Sequence, residues 1–178
     1  NPMVGAVLVK GRAVIGKGWH RRAGGAHAEV AAIEEARRND YNLKGSTLYV
    51  NLEPCCTTGR TPPCTQAIID AGIRRVVVGT VDPNPDHSGR GLRILKRSGI
   101  EVTKGVFSEE SISINAAFNH WIASGLPYVT LKSAMTLDGK IATATGESKW
   151  ITQTPSRREG MRLRKGSDVI LVGVNTVL

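Results

Sequence analysis

The sequence predicts an α/β domain followed by the beginning of a second α/β unit. Over roughly the first 120 of its 178 residues, apolar runs of strand length alternate with segments whose apolar residues recur at helical spacing. This alternation is typical of layered domains in which helices cover a sheet. Near Leu126 the pattern starts again with strand-like, loop and helical segments. We therefore expect two domains, over residues 1–122 and 126–178.

The first segments predict a hairpin, a helix and a strand. "MVGAVLVKGRAVIGKGWH" contains two apolar runs that break at Lys10-Gly11, which indicates two antiparallel strands. The next segment, "HAEVAAIEEARR", has apolar residues at helical spacing: Val30, Ala31, Ile33 and Ala36. A short strand follows in "STLYVNLEP" and ends at Pro54.

The remaining elements of the first domain follow the same alternation. A helix is predicted in "TPPCTQAIIDAG", because proline favours the start of a helix and glycine its end. The next strand and helix are predicted in "IRRVVVGTVDP" and "GRGLRILKRSG", and another strand in "IEVTKGV". The last helix is predicted over the whole of "SEESISINAAFNHWIASG", with Ser108 at its start and acids in its first turn.

The second unit combines strand-like and helical patterns. "PYVTLKSAMTLDGKIAT" is strand-like, "GESKWIT" is a loop, and Thr154-Pro155 opens a helix in "TPSRREGMRLRKGS". The apolar run "DVILVGV" predicts a buried strand. Because the chain begins with Asn1 rather than Met and ends in an apolar run, we expect further chain at both ends.

Composition restricts the class of protein. Apolar residues make up 40% of the chain, but no run reaches the eighteen or so residues that a membrane span needs. The three cysteines cluster in one short segment, which argues for a reducing, cytoplasmic setting or a metal site and against a disulfide framework. The net charge of +9 suits an anionic partner, either nucleic acid or a phosphorylated small molecule. Since the charge lies in short clusters without a basic tail, we expect no nucleic-acid or membrane partner.

Three residues have the side chains and spacing of a zinc site. His27 stands at the predicted start of the first helix, Cys55 follows Pro54, and Cys64 opens the next helix. One imidazole and two thiolates suit a tetrahedral zinc ion whose fourth position stays open for water. Zinc lowers the pKa of that water toward neutrality, which makes hydroxide available as a nucleophile.

Glu29 supplies the acid–base group that such a site needs. Taken alone, a His-x-Glu pair also fits a capped helix start with a solvated acid, but zinc deaminases combine this pair with Pro-Cys and a second Cys. The glutamate moves a proton from water to the leaving amine. The usual second element is Cys-x-x-Cys, whereas eight residues separate Cys55 from Cys64 here. Cys56 is the alternative ligand, and we favour Cys55 because it directly follows the proline.

These residues lie within stretches that resemble a known family. The stretches "NPMVGAVLV", "GWHRRAGGAHAE", "LEPCCTTGRTPPC" and "VGTVDPNPDHSGRGLRILKRSGIEV" resemble the deaminase domain of the bifunctional riboflavin-biosynthesis deaminase/reductase family, whose zinc motif has the wide cysteine spacing. "LKSAMTLDGKIATATGESKWIT" and "SDVILVGVNTVL" resemble the opening of its reductase domain. The resemblance implies a three-layer α/β/α cytidine-deaminase-like domain with a mixed sheet, followed by the beginning of a dihydrofolate-reductase-like α/β domain. It also implies a first helix before Asn1 and a reductase domain that continues beyond Leu178.

The family's reaction is hydrolytic deamination of the diamino-ribosylamino-pyrimidinone 5′-phosphate. Water adds to the amine-bearing ring carbon, and ammonia leaves. By resemblance, zinc is held by His27, Cys55 and Cys64, and Glu29 carries the proton. The positions that line the substrate pocket are Asn1, His20, Arg60, Asp82 and Asn84. Many relatives have Lys at the position of Arg60, and a cation there suits the phosphate; Asp82 and Asn84 also fit ordinary turn chemistry.

The second step in the family reduces the ribose to the ribityl form with NADPH. The matching nucleotide positions are Ala134, Trp150 and Thr176, and the matching substrate positions are Ser148 and Arg164. Trp150 also fits a plain core residue. Relatives usually have Val-His where this chain has Gly160-Met161, which weakens the helix prediction there. We expect no reductase activity from these 178 residues alone.

Two other readings stay open. A tRNA adenosine deaminase, or a cytidine or guanine deaminase, would share the zinc chemistry, and the net charge of +9 would suit RNA. The cysteine spacing and the second domain argue against it. An inactive RNA-binding or scaffolding protein with a structural zinc would not need Glu29. Homo-oligomers are common in this fold group, but nothing in the sequence defines an interface.

Overall fold

The computed structural model describes residues 1–177. Residue 178, the last of the second predicted domain, lies outside them. The chain forms two compact units, Asn1–Tyr128 and a second unit that begins at Val129. None of the helices in the described part has the length and apolar character needed to cross a membrane.

The first unit is built on one mixed sheet of five strands in the order β2-β1-β3-β4-β5. The strands are β1 Gly5–Lys10, β2 Ala13–Trp19, β3 Thr47–Leu52, β4 Arg75–Thr80 and β5 Glu101–Lys104. The predicted hairpin is present, since β1 pairs antiparallel with β2 and also with β3. β3, β4 and β5 run parallel. The predicted alternation and the mixed sheet are therefore confirmed.

Helices cover both faces of this sheet. The helices of the first unit are α1 Ala28–Arg38, α2 Cys64–Asp70, α3 Arg90–Arg97, α4 Ser108–Ser113 and α5 Ala116–Ser124. Alternate strand residues point to one face of the sheet, where they form a core with residues of α1, α2 and α3. Leu8, Leu48 and Val76 are fully buried in this core. On the opposite face, strand residues such as Tyr49 and Gly79 line a shallow depression of about 240 Å³. Phe107, directly before α4, and Ser111, within α4, line the same depression. The sheet is thus the middle layer of three.

The last helix of the first unit differs from the prediction. The sequence predicted one continuous helix from Ser108, but the structure has two, with a break at Asn115. The Asn115 side chain is buried, accepts a hydrogen bond from the backbone N–H of Met3 at 2.6 Å and donates one to the Met3 carbonyl at 3.0 Å. This long-range contact explains the break, because it fixes Asn115 outside regular helical geometry.

The described part of the second unit contains one helix, α6 Thr154–Lys165, and a 3₁₀ turn, Val174–Thr176. The helix predicted at Thr154-Pro155 is present, with the proline in its first turn. The strands predicted in "PYVTLKSAMTLDGKIAT" and "DVILVGV" are wrong for the described residues, which form no strand there. Val169 and Leu171 are 82% and 95% exposed. An apolar run forms a strand only beside another strand, and the described part of this unit offers none.

Two glycines on β2 bring α1 unusually close to the sheet. A Cβ atom added to Gly16 would lie 2.2 Å from the carbonyl oxygen of Ala32, and one added to Gly18 would lie 2.2 Å from that of Ala28. The helix backbone therefore rests directly on the strand backbone. Because Ala28 is the first residue of α1, this contact also fixes the place where the helix begins.

Gly18→Ala is expected to lower the free energy of unfolding by about 1–3 kcal/mol, because the new methyl group has to push the first turn of α1 away from β2. Gly5→Ala on the neighbouring strand is the matched control, since its Cβ would have no neighbour closer than 4.0 Å. Urea unfolding followed by circular dichroism measures both variants. Equal midpoints for the two variants would contradict the close approach.

Candidate active site

His27, Cys55 and Cys64 come together at one end of the sheet although they belong to three different segments. His27 directly precedes α1, Cys55 follows the end of β3 after Pro54, and Cys64 is the first residue of α2. Their potential ligand atoms all lie within 4.8 Å of one another. Within residues 1–177, this is the one group of three or more such side chains close enough to hold a metal ion.

The distances in this cluster fit a tetrahedral zinc ion. The Nδ1 atom of His27 lies 3.2 Å from Cys64 Sγ and 3.4 Å from Cys55 Sγ. A nitrogen and a sulfur that bind the same tetrahedral zinc ion are roughly 3.5 Å apart. The other ring nitrogen, Nε2, lies 3.4 Å from Thr61 Oγ1, which can orient the imidazole as outer-shell partners of metal ligands do. Three protein ligands leave a fourth position for a reacting group.

A hydrogen bond joins the Cys55 and Cys64 side chains and shifts their pKa values in opposite directions. A hydrogen bond from the Cys64 thiol is the largest influence on Cys55 and lowers its pKa to about 5. The same hydrogen bond, together with burial and the nearby Glu29 carboxylate, raises the pKa of Cys64 above its usual range. A positive charge bound between them would favour the thiolate form of both sulfurs. The donor set therefore fits a dication such as zinc.

Glu29 is a buried acid in the first turn of α1, two residues from His27. Its side chain is 3% exposed, and this burial raises the pKa of the carboxyl to about 7. A group that titrates near neutrality both accepts and donates a proton readily. The Glu29 carboxyl lies beside the Cys64 thiol and is therefore next to the cluster. It is not one of the three clustered side chains that could bind a metal ion.

Cys56 points to a different neighbour. Its Sγ atom lies 3.7 Å from Nδ1 of His87, whereas Cys55 accepts a hydrogen bond from the backbone N–H of Cys64 at 3.3 Å. Burial raises the pKa of the Cys56 thiol, so it stays protonated more readily than a free cysteine. Of the two adjacent cysteines, the structure brings Cys55 to the cluster.

The long segment between the two cysteines forms part of the surroundings of the cluster. Thr61 reaches His27 from this segment, and the Cδ atom of Arg60 would lie 3.8 Å from a Cβ built on Gly24. The exposed Arg60 is thus close to the loop that leads into His27. In Cys-x-x-Cys only two residues separate the cysteines. The longer segment that carries Arg60 and Thr61 is therefore a consequence of the wide cysteine spacing in this sequence.

Two of the predicted pocket residues contact each other beside the cluster. Asn1 Nδ2 lies 3.2 Å from Nε2 of His20, and the ring of His20 meets that of His27 edge-on with centroids 5.3 Å apart. His20 Nδ1 also lies 3.2 Å from the carbonyl oxygen of Ala26. The chain terminus and the end of β2 therefore border the same site.

Asp82 and Asn84 lie in the connection between β4 and α3, where they have local partners. The Asp82 carboxylate accepts the backbone N–H of Asn84 at 2.9 Å, and Asn84 Oδ1 accepts that of Asp86 at 3.0 Å. Burial raises the pKa of Asp82. These contacts are those of turn residues, so a role in substrate binding remains a prediction.

The residues predicted for the reductase step lie on separate segments of the second unit. Ala134 and Ser148 are in irregular segments, Arg164 is on α6, and Thr176 is in the 3₁₀ turn. No hydrogen bond in the described part of the chain joins any two of the predicted reductase residues. Trp150 is 72% exposed, and the Arg157 guanidinium lies 4.7 Å from its ring centroid. The alternative interpretation of Trp150 as a core residue is therefore wrong for this unit.

Glu53, next to the candidate site, was not predicted from the sequence. Glu53 directly precedes Pro54-Cys55 and is 4% exposed, and its carboxylate accepts hydrogen bonds from backbone N–H groups 29 to 39 residues further along the chain. Backbone donors leave no trace in a sequence. The one available signal was an acidic residue between the end of β3 and Pro54-Cys55.

Known proteins are similar to the whole chain. Residues 1–80 match the cytidine and deoxycytidylate deaminase zinc-binding region, and residues 127–178 match the RibD C-terminal domain. The riboflavin biosynthesis protein RibD of Aquifex aeolicus is 54% identical over 178 residues, which is 100% of this chain and 49% of that protein. RibD of Escherichia coli K12 is 47% identical over 178 residues, 100% of this chain and 48% of that protein.

A solved structure shows the same fold. The crystal structure of a diaminohydroxyphosphoribosylaminopyrimidine deaminase/5-amino-6-(5-phosphoribosylamino)uracil reductase from Thermotoga maritima superposes with a TM-score of 0.93 at 48% identity, over 99% of this chain and 50% of that one. The chain spans about half the length of the curated relatives it matches.

Proposed function

This chain belongs to the RibD family of riboflavin-biosynthesis proteins, and we propose that its first unit is a zinc-dependent deaminase. The proposed substrate is the diamino-ribosylamino-pyrimidinone 5′-phosphate, whose ring amine is replaced by oxygen. The observation that carries the proposal is the cluster of His27, Cys55 and Cys64 with the buried carboxylate of Glu29 beside it. We assign the deaminase domain to residues 1–122.

The three clustered residues would hold the metal. Zinc at this site would lower the pKa of a water molecule on its open position and so supply hydroxide near neutral pH. The thiolates of Cys55 and Cys64 bring two negative charges, and His27 brings a neutral nitrogen whose orientation Thr61 supports. The charge of a dication is thereby balanced within a partly buried site.

Glu29 moves the proton. Its carboxylate accepts a proton from the attacking water and donates it to the amine that leaves as ammonia. Burial holds the pKa of this carboxyl near 7, between the values that would make it only a base or only an acid at neutral pH. The carbon–oxygen bond forms first, and the carbon–nitrogen bond breaks when the addition product releases ammonia. One proton of the water leaves in the ammonia and the other stays on the product ring, so no oxidant or reductant is consumed.

The residues around the cluster would bind and orient the substrate. Asn1 and His20 offer polar atoms beside His27, and the Arg60 guanidinium offers a positive charge for the 5′-phosphate. Asp82 and Asn84 would shape the mouth of the same pocket. The overall charge of +9 favours an anionic substrate in general.

For the second unit we propose a part in the NADPH-dependent reduction of the deaminated product to its ribitylamino form. Its match to the RibD C-terminal domain supports this assignment to residues 126–178. The proposed nucleotide contacts are Ala134, Trp150 and Thr176, and the proposed substrate contacts are Ser148 and Arg164. Trp150 offers an exposed aromatic surface for such a ligand.

Ammonia release tests the proposed deaminase. The zinc-loaded gene product is offered the diaminopyrimidinone phosphate, cytidine, guanine and an adenosine-containing tRNA loop in parallel. We expect release from the phosphorylated pyrimidine alone, because its phosphate matches Arg60 and its ring amine matches the site chemistry. Release from the tRNA loop or from a free base would keep the zinc chemistry and overturn the substrate.

A further inference from the structure

Glu53 joins the Pro54-Cys55 turn, which carries one of the proposed zinc ligands, to a distant part of the chain. It lies between β3 and the Pro54-Cys55 pair, and its side chain is almost completely buried. Its Oε2 atom accepts the backbone N–H groups of Asp82 at 3.2 Å and Gly89 at 2.8 Å. Its Oε1 atom accepts those of Gly91 at 2.9 Å and Leu92 at 3.4 Å. One carboxylate therefore holds both ends of the β4–α3 connection.

The start of α3 depends on this carboxylate. Gly89, the residue before the helix, has a positive φ of 78° and no side chain with which to cap the first turn. The free N–H groups at a helix start need an acceptor, and a negative charge there also suits the helix dipole. Glu53 supplies both the acceptor and the negative charge from the segment that directly follows β3.

The first turn of α3 lies directly on the Pro54-Cys55 turn. A Cβ atom added to Gly91 would be 2.2 Å from the carbonyl oxygen of Pro54 and 3.2 Å from Glu53 Oε1. At the same interface, Cys56 Sγ lies 3.7 Å from Nδ1 of His87 in the connection. The connection is thus held against the turn at two points, through Glu53 and near Cys56.

We propose that Glu53 is a positioning residue for the deamination, which holds the β4–α3 connection, with Asp82 and Asn84, against the turn that carries Cys55. The kinetic part of this inference rests on the proposed function. The positioning part rests only on the four hydrogen bonds. Glu53 itself contacts neither the metal ligands' sulfur and nitrogen atoms nor a proton that the reaction moves.

Glu53→Gln separates this role from a general structural one. The amide keeps the size of the side chain but replaces one acceptor oxygen with an NH₂ group that faces N–H donors. A hydrogen bond to a charged group is worth enough that its loss changes an equilibrium by about tenfold or more. We therefore expect the KM for the diaminopyrimidinone phosphate to rise about tenfold, with kcat within about threefold of wild type.

The experiment compares wild type, Glu53→Gln and Glu101→Gln in the zinc-loaded gene product. Glu101 is the matched control, because its exposed carboxylate pairs only with Arg75 at 3.6 Å, and such surface pairs contribute little. Zinc content, kcat and KM are measured, together with amide hydrogen exchange at residues 82–92. We expect one zinc per chain in all three proteins and faster exchange of the Gly89 and Gly91 amides in Glu53→Gln alone.

Each outcome bears on the proposal. Unchanged KM together with unchanged exchange of the Gly89 and Gly91 amides in Glu53→Gln would overturn it. If Glu53→Gln does not fold, exchange in the wild-type protein decides, because Gly89 and Gly91 have the Glu53 carboxylate as their acceptor and unprotected amides there would refute the contact. Absence of turnover in wild type would contradict the proposed function, while the exchange data would still test the positioning.

Discussion

Glu29→Gln is expected to lower kcat for deamination by roughly 10²- to 10⁴-fold while zinc stays bound. Glutamine has the same shape as glutamate but neither accepts the proton from water nor delivers one to the leaving amine. The ligand cluster does not include Glu29, so the metal affinity should change little. Ammonia release and zinc content, measured on the same preparation, give both quantities.

The control for this variant is Glu34→Gln on the same helix. Glu34 is exposed, whereas Glu29 is 3% exposed beside the cluster. We expect wild-type turnover from Glu34→Gln. Substantial turnover in Glu29→Gln would show that another group moves the proton and would remove the central part of the proposed mechanism.

The elements that the sequence predicted well are those whose apolar residues face a single neighbour. In α1, the predicted Ile33 and Ala36 are buried against the sheet, whereas the predicted Val30 and Ala31 are only partly buried. The spacing alone is informative here because one face of the helix packs on the sheet while the other faces solvent. β4 is the exception, because four of its consecutive residues are buried between two layers, and a continuous apolar run predicts such a strand.

Local sequence patterns did not predict features that depend on partners far away in the chain. The break between α4 and α5 comes from the contact of Asn115 with Met3, which is 112 residues away in the chain. The apolar run at Val169–Leu171 has the composition of a strand, but a strand needs a hydrogen-bonded neighbour. Propensity describes what a segment can form, and the partner determines what it does form.

The candidate site shows the same division. His27, Glu29 and the Pro54-Cys55 pair stand at short, characteristic spacings, so the donor set was visible in the sequence. Cys64 was a less obvious ligand, because eight residues separate it from Cys55 instead of the usual two. Glu53 was missed, because its four partners are backbone groups that any residue type provides.

Cys55→Ser is expected to abolish stoichiometric zinc binding and deamination, whereas Cys56→Ser keeps both. The two cysteines are adjacent in the chain and are both partly buried, so they form a matched pair. Only Cys55 Sγ lies within reach of both His27 Nδ1 and the Cys64 backbone, while Cys56 Sγ lies beside His87.

The expected difference between the two variants is large, since loss of an outer partner costs about 10- to 100-fold in metal affinity and loss of a ligand costs more. Zinc content after dialysis against a chelator of known affinity measures this difference, and circular dichroism checks that both variants are folded. Retention of zinc in Cys55→Ser together with its loss in Cys56→Ser would reverse the ligand assignment. It would then require the turn after Pro54 to rotate so that the second thiolate faces His27, and the contact between Cys56 and His87 would have to break.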